Sequence, residues 1–535
     1  MTMILDVRNL TISIDNHVVV DDVSLRLKAG EILGIAGESG SGKTMTALAI
    51  AGLLPETAEM SGEIVVDGDD LTNATEGHYC RVRGRDLGIV FQEPMTALNP
   101  LQMIGDQVAE TIRIHRRMSR RDAQQMAELA LEQAGLPPSR FSCDRYPHSL
   151  SGGQRQRVAL AIAIALKPRL LIADEPTTAL DVTTQAEILA LFNRLVHEEG
   201  VGLVLVTHDL AVIAETADRV ALMNKGGIVE EGRVPDVFGS PSNAHTGKLL
   251  EDTKHVPVRK RTKTSERTPV LETRNLVREY AGSRSWLGQA VLVRAVDDVS
   301  LSVFANENVG IVGESGCGKS TLLRTILGLD PAQSGQVTVF GRRFPTEDGS
   351  DMRWLRRKIQ IVFQDPYGTF DPRWRVERLI TENLHLSDTR LTAGETRRRV
   401  DVMLDQVGLQ STDATRFPHE FSGGERQRIA IARALIIEPA ILALDEAVSA
   451  LDVSIRARIL DLLAALSERL GVSCLFVTHD LSVARAITDR ILVMKDGRII
   501  EEGDTEEVFT APSHSYTRDL LAAVPNFERL RVTST

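Results

Sequence analysis

Short, nearly unbroken apolar runs recur along the chain, and each ends in a polar cluster. EILGIAG (31–37) and NVGIVG (308–313) lead into glycine-rich turns, RLLIADE (169–175) and AILALDE (440–446) end in paired acids, and GLVLVTHD (202–209) and SCLFVTHD (473–480) end in His-Asp. Runs of this length without alternation predict central strands buried on both faces, and polar residues at their carboxyl ends predict the ligand loops of an α/β domain. Between the glycine-rich turn and the paired acids, RRDAQQMAELALEQAGL (120–136) has the apolar spacing of an amphipathic helix and predicts a helical subdomain. LSGGQRQRVALAIAIAL (150–166) and FSGGERQRIAIARAL (421–435) each put a serine and two glycines at the mouth of a further helix.

These features occur twice. Ser151 and Ser422, Asp174 and Asp445, His208 and His479, and Thr246 and Thr517 are each 271 residues apart. The period predicts two homologous units, 1–250 and 269–535, joined by a linker over 251–268. The linker sequence, EDTKHVPVRKRTKTSERT, is polar and basic without apolar periodicity, and it reads as an exposed, mobile tether rather than a functional basic site.

The formal charge of −11, from 62 basic and 73 acidic residues, argues against nucleic acid as the main partner. The longest apolar run near the first repeat, Val158 to Leu166, spans nine residues, well short of the roughly 18 to 20 needed to cross a bilayer. The opening MTMILDVRNLTISID has no signal-peptide pattern, so a cytoplasmic chain able to dock on a membrane protein is expected. Cys80, Cys143, Cys317 and Cys474 are dispersed without a CxxC, which gives no zinc or iron–sulfur ligand set and suits a reducing compartment.

The chemistry is concentrated in GESGSGKT (37–44) and GESGCGKS (313–320), both matching G-x-x-x-x-G-K-[ST] between a strand and a helix. Gly37, Ser39, Gly40 and Gly42, with Gly313, Ser315, Gly316 and Gly318, let successive backbone N–H groups face a phosphate. Lys43 and Lys319 reach the β- and γ-phosphates, and the hydroxyls of Thr44 and Ser320 can coordinate Mg²⁺. Thr46 and Thr321, just inside the following helices, are placed in the same phosphate-binding set. Asp174 and Asp445 are placed to hold the metal, Glu175 and Glu446 to polarise an attacking water, and His208 and His479 to contact the γ-phosphate. In Cys317 the loop N–H groups and Lys319 are expected to favour thiolate, with nucleotide covering the residue.

The two Ser-Gly-Gly turns lack a lysine, although each unit already has a lysine-bearing loop. Ser151, Gly152, Gly153 and Gln154, and Ser422, Gly423, Gly424 and Glu425, therefore need not bind the phosphate of their own unit; in the head-to-tail arrangement that the resemblance described next implies, each turn closes over nucleotide held by the other unit.

This set resembles the ATP-binding-cassette ATPases over nearly the whole chain. LSGGQ (150–154) and FSGGE (421–425) match the family signature. FQEP and FQDP place Gln92 and Gln364 in the loop that in this family senses γ-phosphate, contributes to the metal site and touches a membrane partner. ALD at 179–181 and 450–452 matches the loop where cassettes meet. The resemblance implies a mixed-sheet ATPase core with a helical subdomain in each cassette, and ATP and Mg²⁺ as ligands. Tyr280 falls at the adenine-stacking position, where the first unit has Ile14.

The tail APSHSYTRDLLAAVPN, with His514, Tyr516, Thr517, Leu520 and Leu521, is similar to that of importer ATPases for dipeptides and oligopeptides, a group that includes nickel, opine and glutathione importers. The first-unit tail departs from that pattern at Asn243 and His245, which makes its docking role an open expectation, and Ala447 replaces the usual proline after the second catalytic acid. The resemblance implies import of short peptides or peptide-like solutes, two transmembrane permease subunits, an extracytoplasmic solute-binding protein, and a peripheral position on the cytoplasmic face of the bacterial inner membrane. No nucleic acid is expected from the net charge, and no iron–sulfur cluster, because the cysteines depart from those of relatives whose tail holds one. Nickel, glutathione and opines are alternative cargoes. A soluble ribosome-associated tandem ATPase is the alternative of another class, disfavoured by the short linker with Pro257 and Pro269.

Overall fold

The computed structural model describes residues 2–91, 97–178, 180–259, 268–284, 290–344, 352–387, 391–449 and 451–525. It divides into two compact units, one built on Met1–Lys254 and the other on His255–Leu451 and Ile455–Val524.

In the first unit, the central sheet runs in the order Gly227–Arg233, Arg219–Asn224, Ile32–Gly37, Gly202–Val206, Leu170–Asp174, Leu87–Val90. Its strands are parallel except for the antiparallel edge Gly227–Arg233. Gly202–Val206 is buried throughout, with Leu203 and Leu205 in one core and Val204 and Val206 in another. Both faces are covered, so the sequence run has no polar alternation. Leu205→Ala would leave a cavity costing about 2–5 kcal/mol.

One face carries the helical subdomain, in which Ile104–His115 and Arg120–Gln133 pack with the helix Gly152–Ile164 through Val108, Ile112, Ala127, Leu131, Val158 and Ala161. Ser119 starts the second of these helices by accepting the Asp122 N–H. The other face carries an antiparallel sheet ordered His17–Lys28, Met3–Ile14, Ala58–Val66, Asp69–Asp70.

The second unit repeats this plan. Its central sheet is ordered Ile359–Val362, Ile441–Asp445, Ser473–Thr478, Asn308–Val312, Arg490–Lys495, Arg498–Asp504, with the last strand antiparallel. Its second sheet is ordered Ala290–Phe304, Pro269–Arg284, Ser334–Val339, Arg342–Phe344. The α/β class with mixed sheets and helical subdomains is the one expected from the sequence.

The start of the linker is not a solvated tether. His255 Nε2 pairs with Asp461 Oδ1 at 2.7 Å, and Arg259 donates to both carboxylate oxygens of Asp489 at 3.1 and 2.9 Å. The Arg259 and Asp489 side chains are only 10% and 8% exposed. Asp489 also accepts the Asn308 N–H, so the arginine anchors the chain where the central strand begins. Its counterpart Asp218 accepts the Ile32 N–H in the first unit. Net charge patterning could not reveal this pair, because a basic run says nothing about which arginine meets a buried acid. Residues 260–267 of the linker lie outside the described residues.

Candidate nucleotide site

Each glycine-rich loop leaves the end of a central strand and turns into a helix, Lys43–Ala51 or Lys319–Ile326. The last glycine before each helix is left-handed, with φ 100° at Gly42 and 107° at Gly318. A methyl group on Gly42 would stand 2.8 Å from the Val19 carbonyl oxygen, so conformation and space both require glycine there. Lys43 Nζ donates to the carbonyls of Gly37 and Glu38 at 2.9 and 2.8 Å, and Lys319 Nζ to those of Gly313 and Glu314 at 2.8 and 2.7 Å. Each ammonium is thus stored inside its own loop. Burial pulls the Lys43 ammonium below its ordinary range, against the opposing charges of Glu175 and Asp174.

The strand-end acids meet the helix that follows each loop. Thr44 Oγ1 donates to Asp174 Oδ1 at 3.3 Å, and Ser320 Oγ to Asp445 Oδ1 at 2.9 Å. Burial, reinforced by the neighbouring Glu175, pushes the Asp174 carboxyl up to about 6, and burial also raises that of Asp445. These hydroxyl and carboxylate oxygens are hard donors. Among the described residues no cluster of three His, Cys, Asp or Glu is arranged to hold a metal alone. The donor set fits Mg²⁺ bound together with phosphate oxygens and water.

Glu175 and Glu446 adopt left-handed backbone angles, φ 46° and 50°, uncommon for a side chain of this kind and held by N–H bonds to Val206 O and Val477 O, each 2.8 Å. His208 Nδ1 lies 3.1 Å from Glu175 Oε1, and His479 Nδ1 lies 3.1 Å from Glu446 Oε1. Burial is the largest influence and would raise both carboxyls, but the bonded histidines together with the loop lysines, and the Thr178 hydroxyl at Glu175, hold them below the ordinary range. The Thr178 hydroxyl donates to Glu175 Oε2 at 3.0 Å, and Gln364 Nε2 to Glu446 Oε2 at 2.9 Å. Gln92, the expected counterpart of Gln364, lies outside the described residues, as do Ala179 and Ala450.

The helices at the signature turns begin as expected. Ser151 and Gln154 form a reciprocal capping box, Oγ accepting the Gln154 N–H at 3.3 Å and Oε1 accepting the Ser151 N–H at 3.0 Å. Ser422 and Glu425 do the same, and the Ser422 hydroxyl also donates to Glu425 at 2.8 Å. A side chain at Gly153 would strike Thr184, and one at Gly424 would strike Ile455. Gly152 and Gly423 face no atom within 4 Å among the described residues. Packing explains the second glycine of each pair but not the first.

Three expectations change. Thr46 is fully buried and its hydroxyl donates to the Gly42 carbonyl at 3.0 Å, within its own helix. Aligning Lys43 with Lys319 pairs Met45 with Thr321 and Thr46 with the buried Leu322, so Thr46 points into the core rather than toward a phosphate. Cys317 is 8% exposed, and burial raises its thiol against the Lys319 ammonium 3.8 Å from Sγ, so thiolate is not favoured. The first-unit tail docks despite its substitutions. Glu230 accepts from Ser242 N, Ser242 Oγ and Asn243 N as Glu501 does from Ser513 N, Ser513 Oγ and His514 N.

Tyr280 is 38% exposed, its hydroxyl 3.0 Å from Asp330 Oδ2 and the Arg278 guanidinium 4.3 Å from its ring centre. Thr178 and Tyr516 were not singled out for the nucleotide site by sequence. Thr178 follows Glu175 by one helical turn's spacing, a usable signal, whereas Tyr516 contacts its loop across 202 residues.

The ABC transporter family matches residues 20–178 and 296–449, and the oligopeptide/dipeptide transporter C-terminal region matches 500–533. The chain is 42% identical to the glutathione import ATP-binding protein GsiA of Salmonella choleraesuis, over 95% of this chain and 86% of that protein. It is 42% identical to the peptidoglycan transport ATP-binding protein YejF of Agrobacterium fabrum, over 98% of this chain and 97% of that protein. A paired lysine loop, metal-type acid, glutamate–histidine couple and signature cap in each unit agree with those matches over the whole length. The chain therefore belongs to the ABC transporter family, as a tandem ATP hydrolase with a C-terminal region of the oligopeptide/dipeptide type.

Proposed function

We propose that both cassettes hydrolyse ATP to drive uptake of short peptides or peptide-like solutes through a pair of membrane permeases supplied by other chains. The whole-length similarity to ATPases named for glutathione import and peptidoglycan transport carries this reading. Among the described residues no helix is long and apolar enough to cross a membrane, which agrees with a peripheral subunit at the inner face of the membrane.

In this reading Lys43 and Lys319 turn from their loop carbonyls to the β- and γ-phosphates. Thr44 with Asp174, and Ser320 with Asp445, hold Mg²⁺, which neutralises phosphate charge when bound. Glu175 and Glu446 orient and polarise water, while His208 and His479 fix those carboxylates and face the γ-phosphate. Gln364 carries the state of the second site outward, and Gln92 that of the first. Ser151 to Gln154 and Ser422 to Glu425 present helix amino ends to phosphate, and the open space at Gly152 and Gly423 supports close approach there. Tyr280 stacks on adenine.

Mass spectrometry of the solute retained by the cognate extracytoplasmic binding protein tests the cargo. A small peptide or peptide-bearing fragment is expected; nickel or an opine would replace the peptide reading.

A further inference from the structure

The phosphate loop of the second cassette is tied to the C-terminal tail. The Gly313–Glu314 peptide group is held at both ends: its carbonyl accepts from Lys319 Nζ at 2.8 Å, and its N–H donates to the Tyr516 hydroxyl at 3.1 Å. Tyr516 is 6% exposed, in the helix Ser515–Ala522, with the Lys495 ammonium 4.6 Å from its ring centre. His514 Nδ1 caps that helix by accepting the Tyr516 N–H at 3.1 Å, and the Glu501 carboxylate clasps Ser513 and His514. Glu501 lies on the strand Arg498–Asp504, which pairs with Arg490–Lys495 and, through it, with the strand that enters the loop. The tyrosine is therefore placed by a rigid path.

The first cassette supplies an internal comparison. Its tail has the equivalent clasp, and Asn243 caps the helix Ala244–Thr253 by accepting the His245 N–H at 2.8 Å. The tyrosine position is occupied by His245, whose Nε2 is buried without a hydrogen-bond partner. The tail is anchored alike in both units, but the hydroxyl reaches the loop in the second.

We propose that Tyr516 is a positioning residue for nucleotide at the second cassette. When Lys319 leaves the Gly313 carbonyl for phosphate, that peptide loses one of its two restraints, and the Tyr516 hydroxyl keeps the N–H end fixed. The loop is then ordered before nucleotide arrives, so less ordering entropy opposes binding. The proposal rests on the assignment of this loop to nucleotide.

Tyr516→Phe removes the hydroxyl and retains the ring, its burial and its contact with Lys495. Mg-ADP binding is measured calorimetrically on the full chain carrying Lys43→Ala, which silences the first loop. The added Tyr516→Phe change is expected to raise Kd about three- to tenfold, the range for one lost hydrogen bond. In the chain with Lys43 intact, KM for ATP should rise while kcat stays within about twofold, a split that general loosening of the tail would not produce. Tyr516→His, which installs the first-cassette residue, should behave like the phenylalanine variant. Unchanged Kd and KM in both variants would overturn the proposal, as would loss of kcat with KM unchanged. Failure of the parental chain to bind Mg-ADP at all would instead overturn the nucleotide assignment beneath it.

Discussion

His479 Nδ1 stands 3.1 Å from Glu446 Oε1, the same separation found between His208 and Glu175 in the other unit. His208 stands two residues past the strand Gly202–Val206 and His479 one residue past Ser473–Thr478, and each glutamate directly follows the neighbouring strand, so the parallel register of the two strands sets the contact. The carboxylate is held charged in a buried place, as a group that polarises water must be.

Glu175→Gln and Glu446→Gln, made separately, remove the proposed base while keeping shape and hydrogen-bonding length. Each is expected to reduce phosphate release at saturating Mg-ATP by at least about 10²-fold. A variant that hydrolyses at the parental rate would show that its site is not required.

The Arg259–Asp489 pair gives a stability test. Among the described residues, Arg259→Ala leaves the buried Asp489 carboxylate with the Asn308 N–H as its one hydrogen-bond donor, at a cost of about 3 kcal/mol. The melting transition of the second unit should fall by several degrees, and the double change with Asp489→Asn should lose less than the sum of the single changes. Calorimetry that finds no shift for Arg259→Ala would contradict the anchored linker.

A pH effect follows from Asp371, whose carboxyl is held at about 2 by the Arg373 side chain and backbone N–H. Its folded value lies below the ordinary 3.8, so its contribution to stability is complete above 3.8 and is lost as pH falls through about 2. A carboxyl-detected NMR titration should place the midpoint near 2, and Arg373→Ala should return it toward 3.8. A midpoint near 3.8 in the parental chain would exclude the fork.

Cysteine labelling probes the second loop. Cys80 is exposed, whereas Cys317 and Cys474 are buried, and burial raises the Cys474 thiol to about 12. Peptide mapping after brief treatment with a small alkylating reagent should find Cys80 modified first and Cys317 slowly, with Mg-ATP slowing Cys317 further. Rapid modification of Cys317 in nucleotide-free protein would show a loop more open than this one.

The sequence revealed the parts of the fold governed by local pattern. Unbroken runs such as Gly202–Val206 became strands with two buried faces, and the Gly-rich loops carried their own turn chemistry. Contacts that depend on where distant segments meet were hidden. Arg259 looked like one basic residue in a tether, and His245 looked like a defect in a tail that docks in the same way as its counterpart. The Thr46 hydroxyl resembles a phosphate ligand by its place in the sequence, whereas the helix turn that it occupies faces the core. At Cys317 burial outweighs the local positive charge that the sequence displays.

The central claim, that ATP hydrolysis here powers uptake of peptide-like solutes, is tested most directly by transport. Accumulation of labelled glutathione and short muropeptides is measured in cells that express this chain with the proposed permeases and binding protein, against cells carrying Glu175→Gln together with Glu446→Gln. Accumulation of at least one of these solutes by the parental chain, falling to background in the double variant, is the result expected. Equal accumulation of them in both strains, or uptake of nickel alone, would contradict the account.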